Sequence, residues 1–262
     1  MRTQWFSRVL IGFVSLLSLG IFCWPILVGD AAAAHSNLAQ ALFMGLMPVL
    51  VAVTLVEFST GGIDSRQIAL LGVLIALNSV VRMLGAGTAG IETAFFLILI
   101  GAYVFGASFG YLLGAGSLLV SALLTGGVGP WLPFQMMAAG LIGVMAGLLP
   151  RPASKRLQLV YLCSAAVVGS YLYGALMTMW NWPFLAGTGT SLSYIAGGGI
   201  GVNLARFINF EIVTGGLLWD TGRAVTTCIL VLLTAPALLA TLRRAARKAG
   251  YQRRQSAPIN DS

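Results

Sequence analysis

Long apolar runs recur along the whole chain, at about residues 9–28, 38–57, 67–84, 92–107, 108–124, 131–149, 157–179 and 209–241. A helix needs roughly 20 predominantly apolar residues to cross the hydrocarbon of a bilayer, because each residue advances it by only about 1.5 Å. Lipid offers no partner for a backbone N–H or C=O, so runs of this length fold as helices that satisfy those groups internally. The expectation is an all-α integral membrane protein of about eight transmembrane helices. With 58% of the residues hydrophobic and only 8% charged, too little polar surface is left for a water-soluble domain.

The fourth and fifth runs form one uncharged stretch, FFLILIGAYVFGASFGYLLGAGSLLVSALL. It is too long for one ordinary span, and the Gly/Ser/Ala-rich break near Gly106 to Gly110 divides it. With the N-terminus inside, eight helices leave only Arg82, Arg206 and Arg223 of the 15 basic residues on the outer half. That bias is the positive-inside rule, and it places both termini in the cytoplasm. A seven-helix count would send either RPASKR or the N-terminus outside. The net charge of +8 therefore orients the protein in its membrane and does not indicate a nucleic-acid partner.

Three segments follow: an N-terminal two-helix hairpin over 1–65, a six-helix core over 66–242 and a basic cytoplasmic tail over 243–262. Arg2 and Arg8, an apolar run and then GDAAAAHS imitate a cleavable signal. The apolar run is longer than the roughly 7 to 15 residues of a signal's hydrophobic region, which favours an uncleaved helix. Cys23, Cys163 and Cys228 lie in apolar runs without paired spacing and read as small buried hydrophobes.

Ionisable residues within such runs are costly and face a bundle interior or a wet cavity, which makes them candidates for function. The stretch NLARFINFEIVTGGLLWDTGRAVTTCILVLL holds Arg206, Glu211, Asp220 and Arg223. Counting back from a cytoplasmic end near Leu242 puts Arg223 close to the outer edge of the hydrocarbon, with Trp219 and Asp220 one turn further out. Asp220 and Arg223, three residues apart, can pair on one helix face, either as a ligand contact or as a structural salt bridge. Arg82, Glu92, Trp131, Gln135, Trp180 and Asn181 fall at the same outer level. Aromatic faces with a few amide and charged groups suit a small-molecule pocket, although interfacial anchoring alone also accounts for the tryptophans.

On the third run, Ala69, Gly72, Ala76 and Ser79 form a small-residue stripe that permits close approach of another helix, in the same chain or in a partner. Enzyme chemistry has little support. The one histidine, His35, lies in an outer loop, there is no paired-carboxylate or metal-ligand pattern, and no GxxxxGK[ST] loop is present. No catalytic residue, metal or cofactor is expected.

Residues 97–150 resemble the substrate-binding S components of energy-coupling factor (ECF) vitamin transporters. The resemblance rests on Gly101, Phe105, Gly106, Gly110 and Gly114, on GGVGPWLPFQM, and on WDTGRAVTT in the final helix. It extends over about 66–242. It implies a multi-pass subunit of the bacterial plasma membrane that binds a vitamin or similar micronutrient from outside. It further implies partners, a transmembrane T component and two cytoplasmic ATPases, with the T component docking at the small-residue motif, here Ala69, Gly72 and Ala76. A stand-alone secondary carrier or a structural subunit of another membrane complex is the alternative.

Overall fold

The structure, a computed structural model, describes residues 9, 12–13, 15–17, 19–27, 45, 48, 65–85, 90–187, 189–195 and 197–248. The expected second helix at 38–57, His35 and the end of the tail fall almost wholly outside these residues. Every regular element among them is helical. They are α1 (Trp24–Leu27), α2 (Ser65–Gly85), α3 (Phe95–Phe105), α4 (Ala107–Thr125), α5 (Leu132–Gly147), α6 (Lys155–Met179), α7 (Trp182–Leu185), α8 (Ile200–Val213) and α9 (Gly216–Lys248). Residues 19–22, just before α1, are helical as well.

Of these, α2, α4, α6 and α9 are long and apolar enough to cross a membrane, while α3 and α5 are apolar but shorter. The expectation of full-length spans at every apolar run is thus corrected for α3, whose 11 residues cover only about 17 Å. Its surroundings explain this. All of α3 except Val104 is buried, so it is a central helix that meets protein on every side and need not match the bilayer's thickness.

The division of the uncharged stretch occurs at one residue. Gly106, with φ 94 and ψ 177, joins α3 to α4 in a conformation open to glycine and strained for other residues. The two helices double back, bringing Gly101 against Leu113 and Ala102 against Gly110. Next, α4 packs on α5 through glycines. A methyl at Gly110 would overlap the Gly143 backbone, one at Gly114 the Ala139 backbone, and one at Gly147 the backbone at Gly106 and Ala107. The family-like glycine spacing is therefore a helix-contact surface in which backbones meet directly.

Helices α6 and α9 run antiparallel, with Tyr171 Oη and Thr221 Oγ1 2.8 Å apart, Cys228 Sγ donating to the Cys163 carbonyl, and Arg243 Nη2 donating to Gln158 Oε1 at 2.8 Å. The last contact belongs to an arginine-rich end that also contains Arg151, Lys155, Arg156, Arg244 and Arg247. There the Tyr103 hydroxyl donates to the Pro150 carbonyl, and Arg151 Nε to the Tyr103 carbonyl, both at 2.9 Å. The final helix continues to Lys248, beyond the expected boundary at 242.

The opposite end differs from a simple loop. Residues 182–213, expected to be mostly connection, form α7, a short loop and α8, and Gly215 (φ 83) separates α8 from α9. What reads in sequence as one long final segment is two helices. Trp182, Phe207, Phe210 and Met179 make a small second core beneath this cap, with Ile26 of the N-terminal helix packed against it.

On α2, Leu71, Leu74, Asn78 and Ser79 face inward, whereas Ala69, Gly72, Val73, Ala76, Leu77 and Val80 are exposed. Ser79 leaves the expected stripe: its hydroxyl donates to the Ser117 carbonyl of α4 at 3.0 Å. Nothing among the described residues lies within 4 Å of where a side chain at Gly72 would begin.

Gly110→Val or Gly143→Val forces the α4 and α5 backbones apart and is expected to destabilise by at least about 1–3 kcal/mol. Gly72→Leu, on the open face, should leave the unfolding midpoint in detergent within a degree or two of the parent. Equal losses at all three positions would contradict the packing described.

Candidate functional site

Three helices, α2, α8 and α9, and the segment before α3 bring charge into the end of the bundle away from the arginine-rich one. Asp220, on the second turn of α9, is 3% exposed, and its carboxylate lies against Gly174 of α6, where any side chain would collide with it. One turn on, Arg223 Nη1 donates to Asp220 Oδ1 and, at 3.2 Å, to the Ser170 carbonyl. Its guanidinium sits 5.0 Å from the ring centre of Tyr173 and 5.9 Å from that of Phe95, whose rings meet edge to face. An arginine held by a carboxylate, a carbonyl and two ring faces has little freedom to move.

A second ion pair lies close by. Arg82, in the last turn of α2, approaches Glu92 at 3.8 Å and donates to Ser121 Oγ of α4 at 2.8 Å. Gly90, with φ 77, lets the chain before Glu92 press against Trp219 and Gly222 of α9. Tyr173 lies within electrostatic reach of Arg82, Glu92 and Arg223, so the two pairs flank one phenol. Glu211 of α8 completes the acidic set at 4% exposure, in the field of both Asp220 and Arg223.

Aromatic side chains form the neighbouring wall. Trp180 stacks on Phe134 of α5 with centroids 3.9 Å apart and planes 9° from parallel. Trp24 Nε1 donates to the Trp180 carbonyl at 2.9 Å and its ring meets Phe184, while Phe22 meets Phe134 edge to face. The N-terminal helix is therefore part of the structure around this end.

The cap is held by backbone contacts. Trp182 Nε1 donates to the Leu192 carbonyl at 2.9 Å, and Asn203 both accepts from the Ile195 amide and donates to its carbonyl, at 2.9 and 2.8 Å. Arg206 Nη1 reaches the carbonyls of Thr190, Ser191 and Ser193 at 3.0, 3.2 and 3.1 Å. Arg206 thus closes a loop.

Of the residues singled out in the sequence, Arg82, Glu92, Asp220 and Arg223 are gathered around Tyr173, and Trp180 is buried in the adjoining wall. Asn181 and Gln135 are half-buried. Trp131 is 46% exposed with its ring folded over Gly129, and Trp219 is 43% exposed, so both stand at the rim. Tyr173, Phe95, Ser170 and Gly174 escaped the sequence reading. Tyr173 had a usable signal, since it precedes Trp180 by seven residues and so shares its helix face.

A sequence model of the family described as "ECF transporter, substrate-specific component" matches residues 66–242, more than half of the chain. No curated protein and no solved structure gives a match.

Removing one member of a buried ion pair strands the other, which typically costs about 3–5 kcal/mol. Asp220→Ala and Arg223→Ala should each lower the unfolding midpoint, whereas Asp220→Leu combined with Arg223→Met should lower it less than either. A double variant whose loss equals the sum of the single losses would show that the pair is not coupled.

Proposed function

The chain belongs to the substrate-specific components of ECF transporters, and on that premise we propose that it captures a vitamin or similar micronutrient at the end framed by Arg82, Glu92, Asp220, Arg223 and Trp180. It passes that ligand inward with a transmembrane T component and cytoplasmic ATPases, and carries out no reaction of its own. The observation that carries this reading is the concentration of buried and half-buried charge at one end of a bundle whose opposite end is rich in arginine. By the positive-inside rule the arginine-rich end is cytoplasmic, so the charged end faces the exterior of a bacterial plasma membrane.

Coupling would use α2. Its outward face combines Ala69, Gly72 and Ala76 with larger apolar residues, a surface on which a partner helix can approach closely. Substrate specificity and coupling then occupy different parts of the molecule, as a subunit that captures a ligand and hands it on through a partner requires.

Co-expression with a T component and ATPases, followed by purification through this chain, tests the assignment. The complex should be retained by the parent. Gly72→Leu with Ala76→Leu should reduce both complex recovery and uptake at least tenfold without lowering the unfolding midpoint. Failure of the parent to recover either partner, or full uptake by the double variant, would overturn the reading.

A further inference from the structure

Charge at the site end balances in number, three arginines against three carboxylates, but not in pairing. Arg82 pairs with Glu92 and Arg223 with Asp220, while Arg206 donates to the three loop carbonyls. Glu211 is left without a cation of its own among the described residues. Its side chain is buried, and neither carboxylate oxygen has a hydrogen-bond partner among them. Thr178 of α6 is near enough to interact with it, yet makes no hydrogen bond of ordinary geometry. The carboxylate presses on Gly216, where any side chain would overlap it, so the backbone has been kept clear for this group.

A buried carboxylate is tolerated when paired or hydrogen-bonded, and is strongly unfavourable otherwise. Protonation would remove the charge but leave an O–H and a carbonyl oxygen equally unsatisfied. The neighbouring Asp220 adds like charge and Arg223 opposes it, so that pair does not stand in for a cation of Glu211's own, and a neutral or anionic partner would leave the carboxylate unpaired. The buried Arg223 Nε and Trp180 Nε1 also lack partners among the described residues, but any ligand oxygen or a water can meet a donor. Among the described residues Glu211 alone calls for a positive group.

We infer that the ligand of this site carries a cationic group with N–H donors, such as an amine, an amidine or a protonated ring nitrogen, and that Glu211 receives it. This rests on reading the charged end as the substrate pocket. The cation would meet Glu211 beside α6 and the start of α9, next to the aromatic wall that can cover the rest of a planar ligand. In the absence of ligand Glu211 is a source of instability, and binding relieves it. Such an arrangement couples recognition to ordering of α8, the helix that also bears the Arg206 and Asn203 contacts to the cap loop.

The test uses the full chain in lipid nanodiscs, with benzamidine as a planar cation and benzamide as its neutral near-isostere. Benzamidine should bind at least tenfold more tightly. Glu211→Gln should abolish that preference and raise the unfolding midpoint of the probe-free protein. Equal binding, binding of neither probe, or a preference that survives Glu211→Gln would each overturn the inference. Should the variant not fold, reaction of the unaltered protein with dicyclohexylcarbodiimide decides, with Glu211 labelling read by peptide mass spectrometry. Benzamidine should protect Glu211 and benzamide should not, and equal labelling with the two overturns the inference. Recovery of T component and ATPases with the parent chain is measured alongside. Loss of charge discrimination with the complex intact removes this inference alone, whereas a parent that recovers no partner removes the transporter reading.

Discussion

The contact on which the rest of the structure depends is the direct meeting of the α4 and α5 backbones at Gly110, Gly114, Gly143 and Gly147. Helices in lipid gain little from the hydrophobic effect when they associate, because the acyl chains they leave are as apolar as the side chains they meet. What remains is close van der Waals contact, and removing side chains from an interface lengthens its area of contact. With α4 and α5 so near each other, α3 fits between them and α6 as a short, enclosed helix. Its first residue, Phe95, is thereby delivered to the charged end, where it meets Tyr173 and Arg223.

Glycine also makes room for charge. Asp220 lies against Gly174 and Glu211 against Gly216, so each of the two most buried carboxylates among the described residues faces a position without a side chain. A methyl at either would push a carboxylate out of place in a region where the low dielectric makes any loss of its partners costly. The same residue type thus serves two needs: close backbone contact in the middle of the membrane and space for ions near its edge.

Much of this was legible in the sequence. Five apolar runs of the core appear as helices close to their expected bounds, because hydrocarbon leaves the backbone no alternative, while the sixth, at 209–241, is divided between α8 and a longer α9. The turn at Gly106 was legible for a related reason, since an uncharged stretch too long for one span must fold where a small residue allows. The Asp220–Arg223 pair followed from helical spacing. Other features depended on tertiary contact. Spacing puts Tyr173 on the same helix face as Trp180, but its place among charges emerges only once Phe95 and Arg223 stand beside it. Only the end of helix α8 was absorbed into the final run, its start being left to the connection before it, because Gly215 was one glycine among many; its positive φ separates the two helices. Ser79 fitted a small-residue stripe by spacing, yet its hydroxyl required the inward face.

Leu192, Ser193 and Tyr194 add side-chain contacts to the cap loop, but it is gripped in large part through its main chain, since Arg206 and Trp182 take carbonyl groups and Asn203 takes an amide and a carbonyl. Contacts of that kind are indifferent to which side chains the loop displays. The exposed side chains at Ser191 and Ile195 can therefore be exchanged over evolutionary time while the loop keeps its path. Such exchanges leave the scaffold beneath untouched.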